Sequence, residues 1–340
     1  MNGKGYFSSD GLFFSAIYGG GIYQWSHKEV QDSFVGEKEK RSSPVLVSQV
    51  TGEKYFARRF QNKELLRNRY QKQIQNPPKG NRILWPVDMV LLSEKREDPD
   101  STGLLLFPLK DIYGVKNIRY CLEQIREDDR NWTNRKIRKM SAEIVRGLED
   151  LNRSGYIYGD LHLSSIYFRK DRSVLLDFSD LIFTFEEIVK KENEILCPPA
   201  EEYPLAFAEP SFVRGQKKAL DFNSQNYSLN ALLFFLFFAR HAYEGRLIAD
   251  GADLSRQYYY KKLLDEADMP VFIFSDNDYR NRIGVFEEEQ RLIQLWERLP
   301  WDVQCLFHIA LDKDYAAGSW MDENPPPVRW ETCFHAVKWE

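Results

Sequence analysis

Two aspartates in the middle of this 340-residue chain stand where carboxylates can do chemistry. Asp160 lies in Tyr158-Gly159-Asp160-Leu161-His162-Leu163-Ser164-Ser165-Ile166-Tyr167-Phe168. Asp177 lies in Leu175-Leu176-Asp177-Phe178-Ser179. Each borders a turn and a short apolar, strand-like run. Carboxylates at strand ends can converge on one point, where one accepts a proton from an attacking hydroxyl and the other holds a metal ion. The plain structural alternative is that loop aspartates of this kind cap helices or close turns. For His162 the alternative is an ordinary loop histidine.

The elements around these residues follow from periodicity. Pro44 to Phe60 holds two apolar or alternating runs split by Thr51-Gly52-Glu53, which reads as a β-hairpin. Lys63 to Gln75 is polar and compatible with a helix, which Pro77-Pro78 ends. Ile83 to Leu92 and Gly103 to Leu109 read as strands on either side of a charged, proline-containing loop. From Lys136 to Leu151, Ile137, Met140, Ile144, Leu148 and Leu151 recur at steps of three and four, one face of an amphipathic helix. Short strands are expected at Ser165–Phe168 and Ser173–Phe178. Ser179 to Ala208, acidic and proline-containing, reads as a long exposed loop with short helical pieces. Further helices are expected at 227–243, 254–267 and 286–298. Strands with one helix, then a run of helices, predict an α+β architecture of two lobes, with a cleft as the default ligand site. Residues 1–33, rich in glycine and aromatics, show no clear period.

Composition removes several classes. With 43% apolar and 14% aromatic residues the chain is not disordered. Lys plus Arg number 47 against 51 Asp plus Glu, so the net charge of −4 argues against nucleic acid as a default partner. The basic stretches Arg58–Lys72 and Arg135–Lys139 read as solvated helix faces. The four cysteines, Cys121, Cys197, Cys305 and Cys333, have no paired spacing, which fits a reducing compartment. The N-terminus makes a poor signal peptide, and the most apolar run, Ala231 to Ala239, is too short to span a bilayer. A cytoplasmic protein with no membrane association is expected.

The two aspartate segments, in their order and spacing, resemble the protein kinase superfamily and are similar to bacterial eukaryotic-like Ser/Thr kinases. The Tyr158–Phe168 stretch sits where that family has its catalytic loop, and Leu175–Ser179 where it has the DFG motif. Thr51-Gly52-Glu53 leading into Phe56-Ala57-Arg58-Arg59 resembles the strand that bears the ATP-contacting lysine. Ser224 to Leu229, with Tyr243-Glu244-Gly245, resembles the helix beneath the catalytic loop. Trp296–Pro300 and Pro327–Trp330 resemble the closing helices. The resemblance implies a bilobal protein-kinase-like fold: an N-terminal extension at 1–33, a β-rich N-lobe at 34–109 and a helical C-lobe at 110–340. It implies ATP and Mg2+ as cofactors. Asp160 would be the catalytic base and Asp177 the magnesium ligand, helped by Ser165. His162 would contact the transferring phosphate. Gly36, Ala57, Arg59, Phe107 and Leu109 would contact the nucleotide.

Several positions depart from the family pattern. The glycine-loop position reads Gly36-Glu37-Lys38-Glu39-Lys40-Arg41, with one glycine; the other cluster, Gly19-Gly20-Gly21, lies far upstream. Arg59 holds the lysine position, chosen over Arg58 because alternation puts it on the face of Ala57. The glutamate that should pair with it is not evident: Glu64 is close in sequence, and Lys72 and Gln73 hold the matching register. Ser165 replaces the metal-binding asparagine, Ser179 the DFG glycine, Gly159 the arginine before the catalytic aspartate, and Asn226 the aspartate that braces the catalytic loop. The activation-segment end reads Ala208-Glu209-Pro210, and its partner arginine is missing near Asn324. The expected function is an ATP-dependent, protein-kinase-like phosphotransferase acting on protein serine or threonine. The alternatives are a pseudokinase that holds nucleotide or scaffolds a regulatory protein partner, and a small-molecule phosphotransferase.

Overall fold

The computed structural model describes the chain apart from residues 1–4, 9–10, 16–21, 32–41, 62, 92–101, 128–133, 195, 198–206, 248–270, 279–280, 285–286, 313–323 and 337–340. Several expectations fall outside the described residues: the glycine-loop position from Gly36 to Arg41, the Gly19–Gly21 cluster, the charged loop expected between Leu92 and Gly103, residues 198–206 of the loop expected after Ser179, and the helix at 254–267.

In chain order the elements begin with β1 (Gly5–Ser8), β2 (Gly11–Ser15), β3 (Ile22–Gln31), β4 (Ser42–Ser48), β5 (Lys54–Gln61), α1 (Glu64–Gln75), β6 (Asp88–Leu91) and β7 (Thr102–Pro108). Next come β8 (Lys116–Asn117), α2 (Ile118–Glu127), α3 (Asn134–Arg153), β9 (Tyr156–Tyr158), β10 (Ile166–Phe168), β11 (Val174–Leu176) and β12 (Ile182–Thr184). The rest is mainly helical: α4 (Phe185–Val189), α5 (Pro210–Val213), α6 (Phe222–Phe238), β13 (Arg246–Leu247), β14 (Asn281–Arg282), α7 (Glu287–Glu297), α8 (Trp301–Leu311) and α9 (Pro327–Ala336). The chain is therefore α+β, an N-terminal antiparallel sheet followed by a more helical C-terminal part. No described helix is long and apolar enough to cross a membrane.

The chain divides into two compact units, Met1–Tyr120 with Ser164–Phe178, and Cys121–Leu163 with Ser179–Glu340. In the first, seven strands form one sheet in the order β1-β2-β3-β4-β5-β7-β6. The described strands β1, β2 and β3, from the segment that shows no clear period in the sequence, belong to this sheet. The β4–β5 hairpin turns at Gly52, which holds φ +70 at no steric cost. Its register pairs Val45 with Phe56, and on the other edge of β5 Ala57 faces Leu106 and Arg58 faces Leu105. One core cluster gathers Leu46, Ala57, Val90, Leu104 and Leu106 with Tyr23 and Tyr55. A smaller three-stranded sheet, β11-β10-β8, carries Asp177 just beyond its β11 edge.

In the second unit, α3 buries Ile137, Ile144, Leu148 and Leu151 at the expected helical spacing. The apolar run at 231–239 lies in α6, which is buried on nearly all sides, as a helix apolar all round must be. Asp221 caps its start by accepting from Ser224 N, and Ala239 ends it in the left-handed region. The segment expected after Ser179 as a loop with short helical pieces has such a piece in α4, and it also forms β12, paired with β9, which the expectation did not include. The signal was present in Thr184-Phe185-Glu186-Glu187, a capping box in which Thr184 and Glu187 satisfy each other's backbone amides.

Candidate functional site

The first unit holds Asp177. Its backbone is fixed by β11 and by the bond from Asp177 N to Ser165 O at 2.8 Å. Its carboxylate lies against Arg58: Nη2 is 2.8 Å from Oδ1 and 3.1 Å from Oδ2. Arg58 Nη1 also donates to Phe178 O at 3.1 Å. The guanidinium carbon sits 5.2 Å from the ring centre of Phe107 and 5.6 Å from that of Phe56. Those two rings stack on each other at 5.1 Å. Phe178 packs at 5.6 Å from Phe107, at 5.5 Å from Trp85 and at 6.2 Å from Tyr70 of α1. Arg58 is thus held at both ends, by charge-assisted hydrogen bonds and by aromatic faces.

Arg59, expected at the ATP-contacting lysine position, is not the arginine at this carboxylate. It is exposed, paired in register with Leu104, while Arg58 reaches the carboxylate. The reason is strand alternation: Phe56, Arg58 and Phe60 share one face of β5, and Ala57 and Arg59 share the other. Ala57 is buried among aliphatic side chains. On α1, Glu64 is exposed, Lys72 is exposed, and Arg69, Tyr70 and Gln73 are buried. Asp177 therefore takes the guanidinium of Arg58, not that of Arg59, for which the helix glutamate was sought.

The second unit holds Asp160 at the end of β9. Asp160 Oδ2 accepts a 2.7 Å bond from Ser179 Oγ, and His162 Nε2 lies 3.3 Å from Oδ1. Ser179 Oγ in turn accepts from Leu181 N at 3.2 Å. Gly159 N donates to Leu181 O at 2.8 Å. Both the Asp160 and His162 side chains are about one-fifth exposed. The loop is braced from α6, and the brace is Gln225, whose Oε1 accepts from Tyr158 N at 2.8 Å. Asn226, expected in that role, instead donates to Asn324 O at 3.3 Å. Glu209 has also found a partner: it pairs with Lys217 at 2.8 Å and accepts from Ser224 Oγ at 2.6 Å. The ion pair expected to be lost is replaced by a local one.

The residues expected to hold a magnesium nucleotide do not fit one as arranged. The Arg58 Nη2 lies within 3.1 Å of both Asp177 oxygens and donates to Oδ2, so a divalent cation would have to displace it. Ser165 is buried, with its carbonyl committed to Asp177 N. Among the described residues, no group of three or more His, Cys, Asp or Glu side chains is arranged to hold a metal. Phe107, expected beside adenine, is fully buried against Phe56 and Phe178. Leu109 opens a 3-10 turn, Leu109–Ile112, and is half-buried. No protein-family model and no curated protein matches this chain.

Proposed function

We propose that the chain is a protein-kinase-like domain working as a pseudokinase, a protein-binding module whose metal-binding aspartate is held by Arg58 in place of magnesium. The observation that carries this reading is the Arg58 guanidinium on both Asp177 oxygens and on Phe178 O. Support for the kinase-like fold comes from the strand order β3-β4-β5-β7-β6 with α1 between β5 and β6, the β10–β11 hairpin leading into Asp177, and the buried α6 that braces the Asp160 loop. A guanidinium neutralises the carboxylate and blocks inner-sphere coordination, and the aromatic packing of Phe56 and Phe107 leaves no open ring face for adenine on that side. The expected result is no magnesium-dependent rise in Tm with ATP. A ligand that binds the native state must raise Tm by mass action, so a saturable, magnesium-dependent rise would overturn the reading.

A second reading, the active transferase, is favoured by one observation. Asp160 keeps a partly exposed carboxylate next to His162. In that reading Asp160 orients and deprotonates the substrate hydroxyl, a role exerted on the reaction rather than on ATP binding. Radiolabel transfer from ATP to serine or threonine of a protein substrate, with wild type and Asp160→Asn, separates the two. The pseudokinase gives no transfer with either protein. Transfer by wild type that Asp160→Asn abolishes would establish the transferase.

A further inference from the structure

The three-stranded sheet of the first unit has β8 at its edge, paired only with β10 among the described residues. Lys116 in β8 stands opposite Phe168, and in the turn before β8 Gly114 lies against Lys170, whose Cε would be 2.8 Å from a Cβ at Gly114. Both lysines are exposed. Lys170 Nζ sits 5.5 Å from the ring centre of Tyr113, which is 81% exposed, and Lys116 Nζ sits 4.5 Å from that of Tyr120, which is 44% exposed. Arg172, at the tip of the β10–β11 hairpin, is exposed and holds φ 70. Glycine or asparagine would take that backbone conformation at lower cost. The acid of the same hairpin, Asp171, is occupied in closing its turn: it accepts from Ser173 N at 2.9 Å and from Ser173 Oγ at 2.7 Å. Lys116, Lys170 and Arg172 make no ion pair among the described residues.

We propose that Lys116 of the edge strand β8, Lys170 beyond β10 and Arg172 at the β10–β11 tip, with Tyr113 and Tyr120, form a docking surface for an acidic, extended segment of a partner protein. The edge offers backbone groups to an added strand, and the cations offer charge to carboxylates on it. Charge complementarity between the three exposed cations and carboxylates favours this occupant. A nucleic acid fits less well. Base stacking needs open ring faces, and one face of each tyrosine carries an ammonium group. The net charge of −4 opposes any anion at long range, and it opposes a polyphosphate, with its denser charge, more than a peptide that alternates glutamate with threonine. The surface belongs to the first unit alone and does not depend on the kinase-like reading.

The test is fluorescence anisotropy of the full chain with a short labelled peptide alternating glutamate and threonine, at low salt. Saturable binding is expected. Lys116→Glu with Lys170→Glu should weaken it by about tenfold or more, equivalent to about 1.4 kcal/mol. Lys136→Glu with Lys139→Glu, a matched reversal on exposed α3 positions, should leave it unchanged. All four lysines are exposed, so the fold should survive, and an unchanged Tm checks this. Three results would each overturn the proposal: no peptide binding by wild type, equal binding by both double variants, or tighter binding of an oligothymidylate than of the peptide.

Discussion

Arg58→Ala is expected to lower stability by about 3 kcal/mol, because it strands the Asp177 carboxylate in a largely dry site. Asp177 is 7% exposed, and its partner fills the space between it and the Phe56 and Phe107 rings. The loss has three parts: the ion pair, the bond to Phe178 O, and the cation–π contacts. Asp177→Asn restores charge balance in the Arg58→Ala background, so the double variant should be less destabilised than the sum of the singles, by about 2 kcal/mol. Urea denaturation followed by tryptophan fluorescence measures all four proteins, with Trp85 against Phe178 as the nearest reporter. Additive single effects would mean that the pair contributes nothing as a pair.

Gly159→Ala should cost about 2 kcal/mol, and Gly159→Arg more. A Cβ at this position would lie 2.5 Å from Leu220 Cδ1 and 3.0 Å from the carbonyl oxygen of Leu181. Leu220 is buried in a cluster with Ile157, Leu181, Phe183, Ala208 and Phe212, so it has little room to retreat. The Leu181 carbonyl is tied to Gly159 N and cannot shift without losing that bond. In the proposed kinase-like reading, an arginine at this position would meet the buried Leu220 side chain. Unfolding midpoints of the two variants test this. A stable Gly159→Arg protein would show that the loop can move away from Leu220.

Elements with strong periodicity were legible in the sequence. The Thr51-Gly52-Glu53 turn, the amphipathic α3 and the apolar α6 each carried a local signal that their packing reinforces. The β1–β3 part of the sheet was not legible, because its glycine- and aromatic-rich segments alternate poorly. The site was legible at the level of segments and not of single contacts. Alternation divides β5 into two faces without saying which face meets Asp177, so the choice fell on Arg59 where Arg58 makes the bond. The aromatic residues Phe56 and Phe60 flanking Arg58 two positions away were the available clue. On α6, Gln225 and Asn226 are both buried amides, and only the helix rotation decides that Gln225 meets Tyr158 N. Ser179 reads as a mild change from glycine, yet its hydroxyl ties Asp160 to the backbone of Leu181, a contact between residues far enough apart that no spacing rule reveals it.

The availability of Asp177 to metal can be read directly by electron paramagnetic resonance of manganese, titrated with ATP into the purified chain. With Arg58 on both carboxylate oxygens, wild type should leave the manganese–ATP signal that of the free complex. A stoichiometric bound signal in wild type, abolished by Asp177→Asn, would contradict the account.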